Sequence, residues 1–169
     1  MSGTAASRTI VVDANVLINL LHLGRLALLA SLPGYDCVVP EDVVAEITDP
    51  IQRQELERAI AEGHLRVETI TEPDDLVEYA ELRSTLGRGE AACLVLARRH
   101  KWLVASDEKG RFQREATARL GTGRTINTAG LFVAAIRAGI VTIEDADEAK
   151  ATLAQHRFAL PFTSFRDLL

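Results

Sequence analysis

Four carboxylates stand at points where the local pattern of this sequence changes. Asp13 ends the apolar run Thr9-Ile10-Val11-Val12, and Asp107 follows Trp102-Leu103-Val104-Ala105-Ser106. Glu90 comes directly after Gly87-Arg88-Gly89 and opens a strongly apolar segment, Ala91 to Ala97. Glu46 shares a helical pattern with Val43, Val44 and Ile47. Carboxylates brought close together raise one another's pKa and cannot all stay ionised unaided. Hard divalent cations relieve that repulsion, and a set of oxygen donors suits Mg²⁺ or Mn²⁺. Zinc has no comparable set, because the four histidines, His22, His64, His100 and His156, are scattered and read as surface residues.

Whether the acids meet depends on the elements that carry them. Thr9 to Val12, Cys37 to Val39, Leu65 to Ile70, Trp102 to Ala105 and Thr125-Ile126 read as short strands. Helical patterns cover about Asn15–Leu23, Arg25–Ser31, the stretch after Pro40, Ile51–Glu62, Glu72–Leu86, Glu90 onward, Glu108–Leu120 and Leu131–Ala138. The segment from Thr142 reads as two helices broken near Pro161. Strands alternate with helices and no hairpin signal occurs, so the expected fold is α/β, a three-layer α/β/α sandwich on a short parallel sheet. In such a sheet Asp13 and Asp107 lie at one edge, the carboxyl ends of their strands, where ligands bind in open α/β folds. The helix of Glu90 must run back to the start of the fourth strand. Its N-terminus, with Glu90 as first or second residue, therefore lies at the same edge. Glu46 is expected near the start of the helix after the second strand, facing inward.

Each acid also has an ordinary reading. Asp13 can cap a helix, Glu90 can be a first-turn dipole partner and Glu46 a solvated helix residue. Only their agreement on one edge favours a metal site. Glu41, Asp42, Asp49 and the run Asp145 to Glu148 show no such agreement and read as caps and solvated faces.

The chain has 169 residues, 47% of them hydrophobic, which is ample for one domain with its own core. Residues 1–7 read as a loose tail without the apolar core of a signal peptide, 8–140 as the main domain and 141–169 as a helical extension packed on it. Cys37 and Cys93 lie in apolar surroundings and read as buried free thiols, which suits a reducing cytoplasm. The most apolar segment, Val16 to Leu32, is broken by Asn19, His22, Gly24 and Arg25 and cannot span a membrane. Net charge is −5, which argues for no nucleic-acid partner by itself, although local basic stripes matter more than the total.

At these residues the chain resembles PIN domains, the small metal-dependent nuclease fold found in VapC-type toxins. Val11-Val12-Asp13-Ala14-Asn15 is similar to the opening strand with its acid. Val39-Pro40-Glu41-Asp42-Val43-Val44-Ala45-Glu46 resembles the proline-started acidic helix. Gly87-Arg88-Gly89-Glu90-Ala91 resembles the glycine-rich helix start, Leu103-Val104-Ala105-Ser106-Asp107 the strand ending in aspartate, and Thr128-Ala129-Gly130-Leu131 the start of the last helix. The similarity spans about residues 8–140. The later tail resembles an extension seen in some bacterial relatives. Relatives often carry a further aspartate after the fourth strand's acid, where this chain has Glu108 and Lys109.

The resemblance implies that Asp13, Glu46, Glu90 and Asp107 hold one or two Mg²⁺ or Mn²⁺ ions and hydrolyse RNA phosphodiester bonds. Asn15 and Thr128 would position water or ligands, although Thr128 also suits a helix N-cap. Arg88, Lys109 and Arg111 are candidates for substrate phosphates, with a solvated basic helix as the plainer reading of Lys109, Arg111, Arg114, Arg119 and Arg124. Aromatic residues amount to 5% and do not interleave with the basic ones, so no base-stacking platform is expected. A cytoplasmic toxin-like ribonuclease, with an antitoxin partner and a homodimeric state as further expectations, is the leading reading. A catalytically inactive protein-binding module on the same scaffold, docking through Phe158 to Phe165, is the alternative. A receiver-type phosphoacceptor needs an aspartate ending its central strand. The third strand, ending Thr71-Glu72-Pro73, supplies none. No Gly-x-x-x-x-Gly-Lys-Ser/Thr loop occurs.

Overall fold

The computed structural model describes residues 7–169, so the expected loose tail, residues 1–7, falls almost wholly outside the described residues. Five parallel strands form one sheet: β1 (Arg8–Val12), β2 (Tyr35–Pro40), β3 (Arg66–Glu68), β4 (Leu103–Ala105) and β5 (Thr125–Ile126). Their order is β3-β2-β1-β4-β5. β1 is therefore central, and Ile10, Val11 and Val12 are fully buried, as strands covered on both faces must be. Each such side chain contributes about 1.5–3 kcal/mol of hydrophobic stabilisation. The order places the topological switch point between β1 and β4, where Val12 pairs with Ala105 and the Asp13 N–H donates to the Ala105 carbonyl at 2.9 Å. Ligands in open α/β sheets bind outside that point.

The helices are α1 (Ala14–His22), α2 (Ala27–Ser31), α3 (Glu41–Glu46), α4 (Pro50–Ala61), α5 (Pro73–Leu82), α6 (Arg88–His100), α7 (Arg111–Leu120), α8 (Thr128–Arg137) and α9 (Ile143–Gln155). The apolar helix α6 lies against β1, β2 and β4, flanked by α3, α5 and α7. In the other layer α1 packs against α4 and α9, and α9 against α8. The result is the expected α/β/α sandwich. Cys37 and Cys93 are free and buried, as expected, and burial pushes the Cys37 thiol up to about 12.

Several boundaries differ from the sequence expectation for local reasons. α5 stops at Leu82 rather than Leu86 because the Ser84 and Thr85 hydroxyls donate to the Glu81 and Leu82 carbonyls and close the helix into a turn. α7 begins at Arg111 rather than Glu108, since Gly110 sits at φ +58°, outside helical space. Residues 106–110 are thereby left as a loop at the sheet edge. The C-terminal segment holds one α-helix, and only a 3₁₀ turn (Phe165–Leu168) follows Pro161. The third strand is an edge strand of three residues and the central strand is β1, which does lead into an aspartate, Asp13, contrary to expectation. A receiver-type site is still disfavoured, because the flavodoxin-like receiver order is 2-1-3-4-5.

Candidate metal centre

Asp13 is the residue on which β1 turns into α1. Its Oδ1 accepts the Ala14 N–H at 2.8 Å, so the capping reading is real. Its Oδ2 accepts the Ser106 hydroxyl at 3.0 Å, which ties the end of β1 to the end of β4. A capping aspartate is ordinarily solvated, yet this one is only 2% exposed. Burial raises its pKa from 3.8 to about 6; its two hydrogen bonds oppose that rise, and the charges of Glu90 and Glu46 add to it. The carboxyl is thus placed where a negative charge is costly without a cation.

Glu46 and Glu90 are joined through α6. Glu46 closes the short α3, at its end rather than near its start as the sequence suggested. Its Oε1 accepts the Gly89 N–H at 2.8 Å. A Cβ on Gly89 would lie 2.7 Å from that same oxygen and 2.9 Å from Val43 Cγ2. The second glycine of Gly87-Arg88-Gly89 is therefore the space into which the Glu46 carboxylate fits. Glu90 is the third residue of its helix, not the first or second, because α6 begins at Arg88 with Gly87 as its N-cap. Its Oε2 reaches back to accept the Gly87 N–H at 2.8 Å. The first-turn position anticipated for Glu90 is present, and the capping contact comes with it, alongside any ligand role.

Asp13, Asn15, Glu46, Gly87, Glu90 and Glu108 line one open cleft of about 350 Å³ at the switch point. The structure brings three of the four expected acids onto this lining and does not bring Asp107. The Asp107 carboxylate is turned to the neighbouring helix start, accepting the Thr128 N–H at 2.8 Å, the Thr128 hydroxyl at 2.5 Å and Asn19 Nδ2 at 3.0 Å. Thr128 is fully buried and is the first residue of α8, while Asn127 is the actual N-cap, accepting the Gly130 N–H. Asn15 bridges the two sides: its Oδ1 accepts the Asp107 N–H at 3.2 Å and its Nδ2 donates to Glu108 at 3.1 Å. Glu108, whose role the sequence left open, thus faces the acid cleft in the place expected of Asp107.

Two participants were not singled out from sequence. Ser106 links Asp13 to the Glu108 N–H. Asn19 is 6% exposed and is the polar partner of Asp107 and Thr128. The available signal was an asparagine on the apolar side of α1, one turn after Asn15, where a buried amide needs a partner.

The basic candidates divide. Arg88 donates to Asp42 at 3.1 Å, and its guanidinium is held charged by Tyr79 and Asp42. Arg111 donates to the Thr85 carbonyl, Arg119 pairs with Glu115 and Glu78, and Arg124 bonds the Lys101 and Trp102 carbonyls. Lys109 and Arg114, with Arg111, line a second depression that shares Glu90 and Glu108 with the acid cleft. The histidines are less scattered than expected: His22 and His156 stack at 3.8 Å between ring centroids. Within the acidic run, Asp145 caps α9 as expected. Asp147 instead fastens the C-terminal segment, accepting the Ser164 hydroxyl at 2.7 Å and the Phe165 N–H at 2.8 Å.

The donor set fits a hard divalent cation. It is all oxygen, it carries more negative charge than its hydrogen bonds offset, and each carboxylate retains lone pairs beyond those already used. Among the described residues, however, no three acidic, histidine or cysteine side chains form a ready-made cage, and holding an ion would require the carboxylates to draw closer. A family model described as a PIN domain matches residues 9–169, running through the C-terminal segment beyond the reach of the motif resemblance. No curated protein matches the chain.

Proposed function

The chain belongs to the PIN-domain family, a nuclease-type fold, and from that premise we propose that it is a Mg²⁺- or Mn²⁺-dependent endoribonuclease. The observation that carries the proposal is the buried Asp13 at the switch point, sharing one cleft with Glu46, Glu90 and Glu108. Asp13, Glu46 and Glu90 would hold the metal, and Glu108 lines the same cleft. When bound, such an ion supplies water activation at neutral pH and neutralises charge developing on the phosphate.

The protein's own groups do the positioning. Ala14 N–H and the Ser106 hydroxyl hold Asp13 with its remaining lone pairs for the cleft. The Gly89 N–H orients Glu46, and the Gly87 N–H orients Glu90. Asn19 and Thr128 fix Asp107, whose backbone N–H in turn holds Asn15 against Glu108. Asp107 is in this reading a positioning residue. Lys109, Arg111 and Arg114 line the adjoining depression and would receive the phosphates flanking the scissile bond.

A VapC-like toxin is the biological role we favour, with RNA as substrate, a small antitoxin protein as partner, a dimer as its working form and the cytoplasm as its place of action. The free thiols suit that compartment. The test is cleavage of single-stranded RNA by the purified chain with and without Mn²⁺ or Mg²⁺. Cleavage that requires the metal and is lost in Asp13→Asn supports the reading. Cleavage unchanged by chelator or by that substitution overturns it, and absence of both cleavage and metal-induced stabilisation returns the chain to the catalytically inactive binding module.

A further inference from the structure

A third depression shares Lys109 with the basic one. It runs between α8 and the returning C-terminal segment, has a volume of about 520 Å³ and is lined mainly by apolar groups, Val133, Phe158, Leu160 and Phe162 among them. The chain reaches it by reversing at Arg157, which adopts φ +63°, and by an N–H of Phe158 that donates to Leu153. The far end of the segment is fastened at Asp147, and Phe165 is buried against Phe132. The groove wall is thus held open in a defined shape.

Three observations say what the groove takes. It shares Lys109 with the basic depression, and Asp107 is among the residues that line it. Lys109 and Arg137 lie on its rim, and among the described residues neither forms an ion pair, so both can meet an anion. Asn127 offers an amide whose oxygen already accepts the Gly130 N–H, leaving the NH₂ to donate to a ligand edge. Apolar walls, a single amide and rim cations match a nucleobase flanked by phosphate, and the volume lies within the usual range of about 300–1,000 Å³ for small-molecule sites. The aromatic and basic residues, well separated in the sequence, are brought together here by the fold.

We propose that this groove seats one unpaired nucleobase of the RNA strand whose backbone crosses the acidic cleft, with Lys109 and Arg137 meeting the adjoining phosphates. The proposal rests on the ribonuclease reading for its substrate. It makes base identity at one position near the scissile bond a determinant of affinity.

The test uses the full chain carrying Asp13→Asn, without added divalent metal, and a fluorescent single-stranded decaribonucleotide read by anisotropy. A matched series carries one abasic site at each position in turn. One position is expected to lose affinity about tenfold when made abasic. Phe158→Ala should weaken the intact strand to the level of that abasic strand and leave the abasic strand unchanged. Lys109→Gln should weaken both equally, as a phosphate contact does. Leu160→Ala, which shortens another residue of the apolar wall, repeats the Phe158→Ala test should that variant fail to fold. Equal affinity for intact and abasic strands, or a groove variant that leaves the intact strand unaffected, overturns the proposal and leaves the groove to an apolar peptide. The two readings fail separately: base-dependent binding by a chain that never cuts sinks the nuclease reading alone, and cutting without any abasic effect sinks this one alone.

Discussion

Replacing Asp13 by asparagine is expected to make the metal-free protein more stable at neutral pH. The folded carboxyl ionises near 6 rather than 3.8, a difference of about two pKa units. At about 1.4 kcal/mol per unit, ionised Asp13 costs the fold about 3 kcal/mol once the pH is well above 6. Asparagine keeps the shape. Its oxygen can accept the Ala14 N–H, and its NH₂ can donate to the Ser106 oxygen. Allowing for imperfect geometry, a gain of about 1–3 kcal/mol is expected, which raises the Tm by about 2–10 °C for a chain of this size. The sign follows from the raised pKa. The neutral acid contributes its full stability below about pH 3.8, and that contribution is lost as the pH rises through 6. The advantage of Asp13→Asn should therefore grow between about pH 4 and pH 6 and level off above about 7. Urea melts of both proteins across this range, in chelator, measure it. Millimolar Mg²⁺ should then stabilise the parent chain and leave the variant unmoved. A variant less stable than the parent at neutral pH, or a difference independent of pH, would refute the assignment of Asp13 as a buried acid awaiting a cation.

Three further substitutions separate structural from chemical roles. Glu90→Gln keeps an oxygen to accept the Gly87 N–H, so stability should stay within about 0.5 kcal/mol while metal affinity or cleavage falls by about 10–100-fold; equal loss of both would mean that Glu90 is only a cap. Gly89→Ala places a methyl 2.7 Å from Glu46 Oε1 and 2.9 Å from Val43, which should cost about 1–3 kcal/mol in a urea melt and weaken metal binding by displacing Glu46. Thr128→Val removes a 2.5 Å hydrogen bond to a carboxylate and should cost about 1.5–3 kcal/mol, with Thr128→Ser restoring most of it; activity should fall through a lower kcat, since Asp107 positions Asn15 and Glu108 and does not line the cleft.

The sheet edge was legible because the ends of buried strands follow from the hydrophobic pattern. Ile10 to Val12 and Leu103 to Ala105 can hardly be anything but buried parallel strands, and the acid after each is then placed by topology. What the pattern could not say is where a side chain turns once it arrives. Asp107 reaches the expected edge, but the fully buried Thr128, 21 positions away, supplies donors that draw its carboxylate aside. Glu108 takes the cleft because Gly110 delays α7 and leaves residues 106–110 as a loop, a consequence of one positive φ that no periodicity reveals. Glu46 was placed at the right edge but on the wrong turn, since α3 is only six residues long and ends on it. The apolar groove was hidden for a different reason. Phe158 and Lys109 are 49 positions apart, and the reversal at Arg157 together with the Asp147 anchor to Ser164 and Phe165 brings their segments to one surface.

Titration of Mn²⁺ into the purified chain with a single-stranded RNA substrate decides whether the acid cleft carries metal-dependent cleavage. Cleavage that rises from none in chelator to saturation, and that is abolished in Asp13→Asn while the variant remains folded and more stable, is the result expected. Cleavage indifferent to the metal, or retained in that variant, would contradict the account.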